Sequence, residues 1–179
     1  MRPVLRCASV LWLMGMAMPL LATAQEAIFV VRHAERLDRS SDTILSADGE
    51  ARAEALARHL RDAGIDAIYS TGFRRTVGTA APLAEALGLE IQTEPAHDVG
   101  TMMSSDRGVQ RHLEALVARL RDRHDADRVL VVGHSNTLPA LLTAWGHPES
   151  ISIAGDEYDN LFIVMPRPEG APTVLRIRF

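Results

Sequence analysis

The run Val129-Leu130-Val131-Val132, closed by Gly133, most narrows what this chain can fold into. A short unbroken apolar run rich in β-branched residues has no polar face, so the strand it forms must be covered on both sides. Ile28-Phe29-Val30-Val31 has the same character, and Ala67-Ile68-Tyr69 and Glu90-Ile91-Gln92-Thr93 are weaker versions of it. Helical spacing fills the gaps between these runs. Ala53, Leu56, Ala57 and Leu60 follow a capping Ser46 and precede Gly64; a second helix covers about Arg74–Leu87 and stops at Gly88. Val109, Leu113, Leu116, Val117 and Leu120 mark a third. Leu161–Met165 and Thr173–Phe179 read as two final strands joined by a Pro/Gly-rich turn. This alternation predicts an α/β fold, a three-layer α/β/α sandwich around a mostly parallel central sheet.

In such sheets ligands bind beyond the carboxyl ends of the strands. Here the first strand ends in Arg32-His33, the second in Ser70-Thr71 followed by Arg74-Arg75, and the strongest in Gly133-His134-Ser135-Asn136. A solvated strand end explains any one of these, but three on one rim predict an anion pocket. Arginine's planar fork suits phosphate oxygens, and histidine can serve as a covalent nucleophile when one ring nitrogen is neutral and the other is held.

The ordered set Val31-Arg32-His33-Ala34-Glu35, Tyr69-Ser70-Thr71 with Arg75-Thr76-Val77-Gly78-Thr79-Ala80, and Val132-Gly133-His134-Ser135-Asn136-Thr137 resembles the histidine phosphatase superfamily, the phosphoglycerate-mutase-like group. Leu45-Ser46-Ala47-Asp48-Gly49 fits its helix entry, and the resemblance runs along essentially the whole chain after the first segment. It implies a metal-independent phosphomonoester hydrolase without a cofactor. His33 would attack phosphorus to form a phosphohistidine, with Arg32, Arg75 and His134 on the phosphoryl oxygens and Ser135 as an added donor. The family's spacing to Thr79-Ala80 selects Arg75 and leaves Arg74 in solvent. The proton donor falls in the segment Glu90–Asp98, with Asp98 as the expected residue and Glu94 the alternative. Arg36 extends the pocket, pairs with Glu35 or faces water. Ala34 departs from the glycine of many members, which ordinary backbone angles would permit.

Other readings exist. Gly133-His134-Ser135-Asn136-Thr137 approximates a G-x-S-x-G elbow that would make Ser135 an esterase nucleophile, but Thr137 replaces the last glycine and Arg32, His33 and Arg75 are left unused. A metal site lacks ligand spacing, with His59, His112 and His124 read as solvated helix-face residues. A non-catalytic phosphate-binding domain and a phosphomutase are the remaining alternatives.

The first residues, from Met1-Arg2-Pro3 through the apolar stretch Ala8–Leu21 to Ala22-Thr23-Ala24, read as a secretory signal peptide, 1–24. Residues 25–179 would then form one domain, exported and by composition periplasmic in a bacterium. Its cations are all arginine, and loss of Arg2 and Arg6 takes the formal net charge from −4 to −6. That balance argues against nucleic acid and against stable membrane insertion after cleavage. The expected partner is a phosphorylated small molecule, lipid head group or protein.

Overall fold

The computed structural model describes residues 26–94 and 106–179. Six strands form one sheet: β1 (Ala27–Arg32), β2 (Ala67–Thr71), β3 (Ile91–Glu94), β4 (Arg128–Gly133), β5 (Asn160–Met165) and β6 (Thr173–Arg178). Their order is β3-β2-β4-β1-β5-β6. The first four are mutually parallel, while β5 and β6 add an antiparallel edge beside β1. Helices α1 (Ala47–Leu60) and α2 (Arg74–Leu87) cover one face. Helices α3 (Asp106–Arg123) and α4 (Leu138–Ala144) cover the other.

The unbroken apolar strands are explained by the two cores. Ile28 and Val30 of β1 join Val129 and Val131 of β4 against Leu113, Leu120, Leu141 and Trp145. The alternate residues Phe29, Val31, Leu130 and Val132 pack against Leu56, Leu60 and Leu83 on the opposite face. Side chains alternate across a strand, so both sets must be apolar once both faces are covered.

Three features position the strand ends. Ser46 caps α1, its side chain accepting from the Gly49 N–H. Gly49 lies so close to the turn after β1 that a Cβ there would stand 2.2 Å from the Glu35 carbonyl oxygen. That contact pins the start of α1 under the residues following His33. Gly88, at φ 67°, ends α2 in the left-handed conformation glycine adopts without strain. Ala34 has no positive φ, and its methyl fills a small cluster with Leu45 and Ala53. The departure from glycine is therefore accommodated.

Candidate active site

β1 and β4 lie side by side in parallel, with Arg32 opposite Gly133. The residue after each is a histidine, so the register alone makes His33 and His134 neighbours, their ring centroids 5.3 Å apart. One more ladder bond, from the His33 N–H to the Gly133 carbonyl at 2.9 Å, holds the two ends together. Both side chains are buried.

His33 Nδ1 lies 2.7 Å from the Ala34 carbonyl oxygen. A carbonyl only accepts, so Nδ1 carries the proton and Nε2 keeps its lone pair. Burial, opposed by that backbone bond and reinforced by Arg75, Arg32 and Arg36, lowers its pKa to about 4. His33 is therefore neutral, with a nucleophilic nitrogen, through the physiological range. The Ala34 N–H is bound in turn by Thr79 Oγ1 at 2.9 Å, which ties this turn to α2.

Two guanidinium groups complete the pocket. Arg32 is buried; its Nη1 donates to the carbonyls of Ala154 and Glu157, and its plane lies 3.9 Å from the centre of the Tyr158 ring. Arg75 donates from Nη1 to the Ser41 carbonyl and stacks on Phe73 at 4.3 Å. The Nε–H of each is buried without an acceptor among the described residues. An unmet buried donor on a cation costs more than about 1–3 kcal/mol, a cost that an incoming anion removes. Burial lowers both arginine pKa values from their ordinary range without endangering the charge. Neither arginine forms a carboxylate pair among the described residues, because nearby acids are engaged elsewhere. Glu35 is held by Arg52 through Nε and Nη2, Asp42 accepts from the Arg74 N–H, and Glu157 binds Arg178.

His134 differs from His33 in its supports. Its Nε2 lies 3.1 Å from Thr71 Oγ1, its own N–H is bound by Thr137 Oγ1, and Phe73 packs edge-on at 5.4 Å. Burial, then His33 and the three arginines, lowers its pKa to about 3.

The structure thus brings together Arg32, His33, Arg75 and His134. Arg74 is exposed, as expected, and Arg36 is exposed and does not pair with Glu35. Ser135 sits half-exposed in the turn before α4 with no hydrogen-bonded histidine among the described residues, which removes the general base an esterase elbow requires. Glu94 ends β3, and Asp98 lies outside the described residues. His124 does not behave as a solvated residue: it bridges the Tyr69 hydroxyl and Asp127. No group of three or more His, Cys, Asp or Glu side chains able to hold a metal occurs among the described residues. Sequence reading missed the Thr71–Thr76 hydroxyl pair and the Phe73 ring under Arg75, though the Tyr69–Ala80 motif contains all three residues.

The family model of the histidine phosphatase superfamily (branch 1) matches residues 28–98, which include Arg32, His33 and Arg75. A curated relative, the probable phosphoglycerate mutase GpmB of Yersinia enterocolitica, is 36% identical over 75 residues. That match covers 38% of this chain and 35% of the relative, so the chain spans about a third of the length of the mutase it matches. Among solved structures, a phosphoglycerate mutase from Bacillus anthracis superposes with TM-score 0.68 at 15% identity, covering 87% of this chain and 94% of that one. A mycobacterial glucosyl-3-phosphoglycerate phosphatase solved with inorganic phosphate gives TM-score 0.62 at 18% identity, covering 86% and 96%. His134 lies beyond the matched residues, yet the fold delivers it to the same pocket. The match over residues 28–98, the shared fold and the joined histidines and arginines agree in making the chain similar to the histidine phosphatase superfamily.

Proposed function

We propose that this chain is a phosphomonoester hydrolase that passes the phosphoryl group through His33. One observation carries the reading: a buried, neutral His33 stands beside two arginines, and among the described residues its Nε2 is unengaged and their buried Nε–H groups have no acceptor. Nε2 attacks phosphorus and the ester P–O bond breaks. The leaving oxygen takes a proton from a carboxylic acid, for which Asp98 is the proposed residue and Glu94 the alternative. Water then attacks the phosphohistidine, giving up its proton to that carboxylate, and phosphate departs. Charge developing on the phosphoryl oxygens meets Arg32, Arg75 and His134, whose positions are fixed before the reaction begins. Because arginines supply that charge, the step is proposed to need no metal.

The carboxyl-end location of the pocket, with an antiparallel edge on one side, suits a small phosphorylated molecule, a lipid head group or a phosphorylated protein side chain. Export through the 1–24 leader remains part of the proposal. A second reading, phosphomutase, is favoured by the names of the curated relatives.

The test is phosphate release from an aryl phosphate in the presence of chelator, comparing the parent with His33→Ala. Turnover in the parent alone supports the reading, and equal turnover in both overturns it. Saturable phosphate binding without release in the parent would make the chain a binding domain. Isomerisation of 3-phosphoglycerate without net phosphate release would make it a mutase. Glu94→Gln beside Asp98→Asn then identifies the proton donor by which one selectively slows poor leaving groups.

A further inference from the structure

Two threonine hydroxyls decide which nitrogen of His134 carries the proton. Thr76 Oγ1, fully buried, lies 2.8 Å from the Thr71 carbonyl, 2.8 Å from the Phe73 carbonyl and 2.8 Å from Thr71 Oγ1. It has one proton. Both carbonyl oxygens can only accept, so the proton points at them, and Thr76 Oγ1 accepts from the Thr71 hydroxyl. The opposite direction would leave two oxygen–oxygen contacts at 2.8 Å with no proton in either. The Thr71 hydroxyl is then committed as a donor, so toward His134 it can only accept. The Nε2–H of His134 fills that role at 3.1 Å. Neutral His134 is left with a lone pair on Nδ1, which has no partner among the described residues.

A lone pair repels a phosphate oxygen. Resting on the phosphate-binding reading above, we propose that phosphate binding carries one proton onto Nδ1 of His134, and that Thr71 and Thr76 are positioning residues that enforce this by holding the Nε2–H tautomer. The proton arrives on the phosphate monoanion or from solvent; either way the bound pair is a dianion against an imidazolium. The groups around His134 favour waiting neutral and charging only with the anion. His33 and Arg32 come from β1, Arg36 from the turn beyond it and Arg75 from α2, while Tyr158 lies against Arg32 and His33. His112 of α3 lines a cavity whose wall includes Thr71 and Gly133, and α4 contains no charged residue. Among the described residues, no carboxylate is among the leading groups that act on His134.

The experiment pairs imidazole nitrogen-15 chemical shifts with calorimetry of inorganic phosphate in buffers of differing ionisation enthalpy, at pH 8 to 9, where free phosphate is mostly dianion and the proton must come from solvent. The parent is expected to show the Nε2–H tautomer when free and to take up about one proton on binding. Its phosphate affinity should fall about tenfold per pH unit. Thr76→Val frees the Thr71 hydroxyl to donate to Nε2, so His134 should switch to Nδ1–H, proton uptake should vanish and the affinity should become flat with pH. Thr76→Ser restores the parental behaviour, and Thr71→Val gives a second route to the loss if Thr76→Val does not fold. Nδ1–H in the free parent, or phosphate binding without proton uptake, would overturn the proposal. An Nε2–H tautomer with no phosphate binding would overturn the functional reading and the proton link with it, and leave the hydroxyl assignment standing.

Discussion

The ends of β1 and β4 are built alike, yet their histidines are held by opposite nitrogens. At β1, a backbone carbonyl fixes the proton on His33 Nδ1 and leaves Nε2 open. At β4, a hydroxyl chain fixes it on His134 Nε2 and leaves Nδ1 open. A carbonyl can do only one thing, whereas a hydroxyl does one thing only when its own proton is already committed. In the proposed mechanism the difference separates two tasks: an always-available nucleophile, and a group that gains charge when the anion arrives. Substitution should break this comparison unequally. His33→Ala removes the attacking atom and should lower kcat/KM by more than about 10⁴-fold. His134→Ala removes one stabilising contact and should lower it by about 10²–10³-fold. Single-turnover kinetics on an aryl phosphate checks both, and equal losses would erase the distinction.

What the two ends share is burial, and that sets a pH dependence. Both pKa values are depressed, to about 4 and about 3, from an ordinary 6.5. Unfolded histidines bind protons below pH 6.5 that the folded ones refuse, so stability is fully present above 6.5 and lost as pH falls toward 4 and below. His33 alone contributes up to about 3 kcal/mol of that loss. Urea unfolding at pH 7 and pH 4.5 should show it, with the slope reduced in His33→Gln. Saturating phosphate should spare the acid-side loss by favouring protonated His134. A parent whose stability is flat over this range would mean that the rings are not held neutral.

Much of this was legible because strand ends punctuate the sequence. Val129–Val132 and Ile28–Val31 announce doubly covered strands, and Gly88 and Gly133 mark where elements stop, whereas α1 ends at Leu60 and a turn fills the gap to Gly64. Arg32, His33, Arg75 and His134 stood out as polar residues at the tips of apolar runs. The antiparallel edge was readable as a hairpin but not as a neighbour of β1, since pairing partners distant in sequence leave no local trace. Helix α4 is not legible in the sequence, because Leu138–Ala144 is short and mostly apolar and has no amphipathic period. The direction of the Thr76 proton was invisible for a different reason. It depends on two carbonyl oxygens, and carbonyls carry no side-chain signature. The bridging role of His124 is not legible in the sequence because one partner, Tyr69, becomes its neighbour only when α3 packs on the sheet.

Smaller effects sharpen the comparison between the supports of the two ends. Glu35 follows the β1 site and is locked by Arg52, whose Nη1 also donates to the Phe179 carbonyl. Burial opposes ionisation of Glu35, but hydrogen bonding and charge from Arg52 win, and its pKa is lowered. The pair is about three-quarters buried, so Arg52→Ala should cost about 1–2 kcal/mol of stability, between surface and interior pairs. Thermal unfolding measures it. The β4 end has no such ion pair among the described residues, so Asn136→Ala, on an exposed turn residue, should change stability by less than about 0.5 kcal/mol.

A modest effect, on binding instead of stability, concerns the aromatic floors. Arg32 lies on Tyr158 at 3.9 Å and Arg75 on Phe73 at 4.3 Å, so each guanidinium proposed to bind phosphate is backed by a ring face. A cation over an aromatic face gains about 0.5–1 kcal/mol when exposed and more when desolvated. Arg32 is 6% exposed, whereas Arg75 is only partly buried, so the Tyr158 contact should be the stronger. Tyr158→Leu removes the face while leaving the Arg32 bonds to the Ala154 and Glu157 carbonyls, and should raise the phosphate Kd by about three- to fivefold. Tyr158→Phe keeps the face and should bind like the parent. Phe73→Leu should weaken binding by less than Tyr158→Leu if the ring acts only on Arg75. A larger loss there would mean that Phe73 acts through its contact with His134, making the β4 end as dependent on its aromatic neighbour as on its hydroxyls.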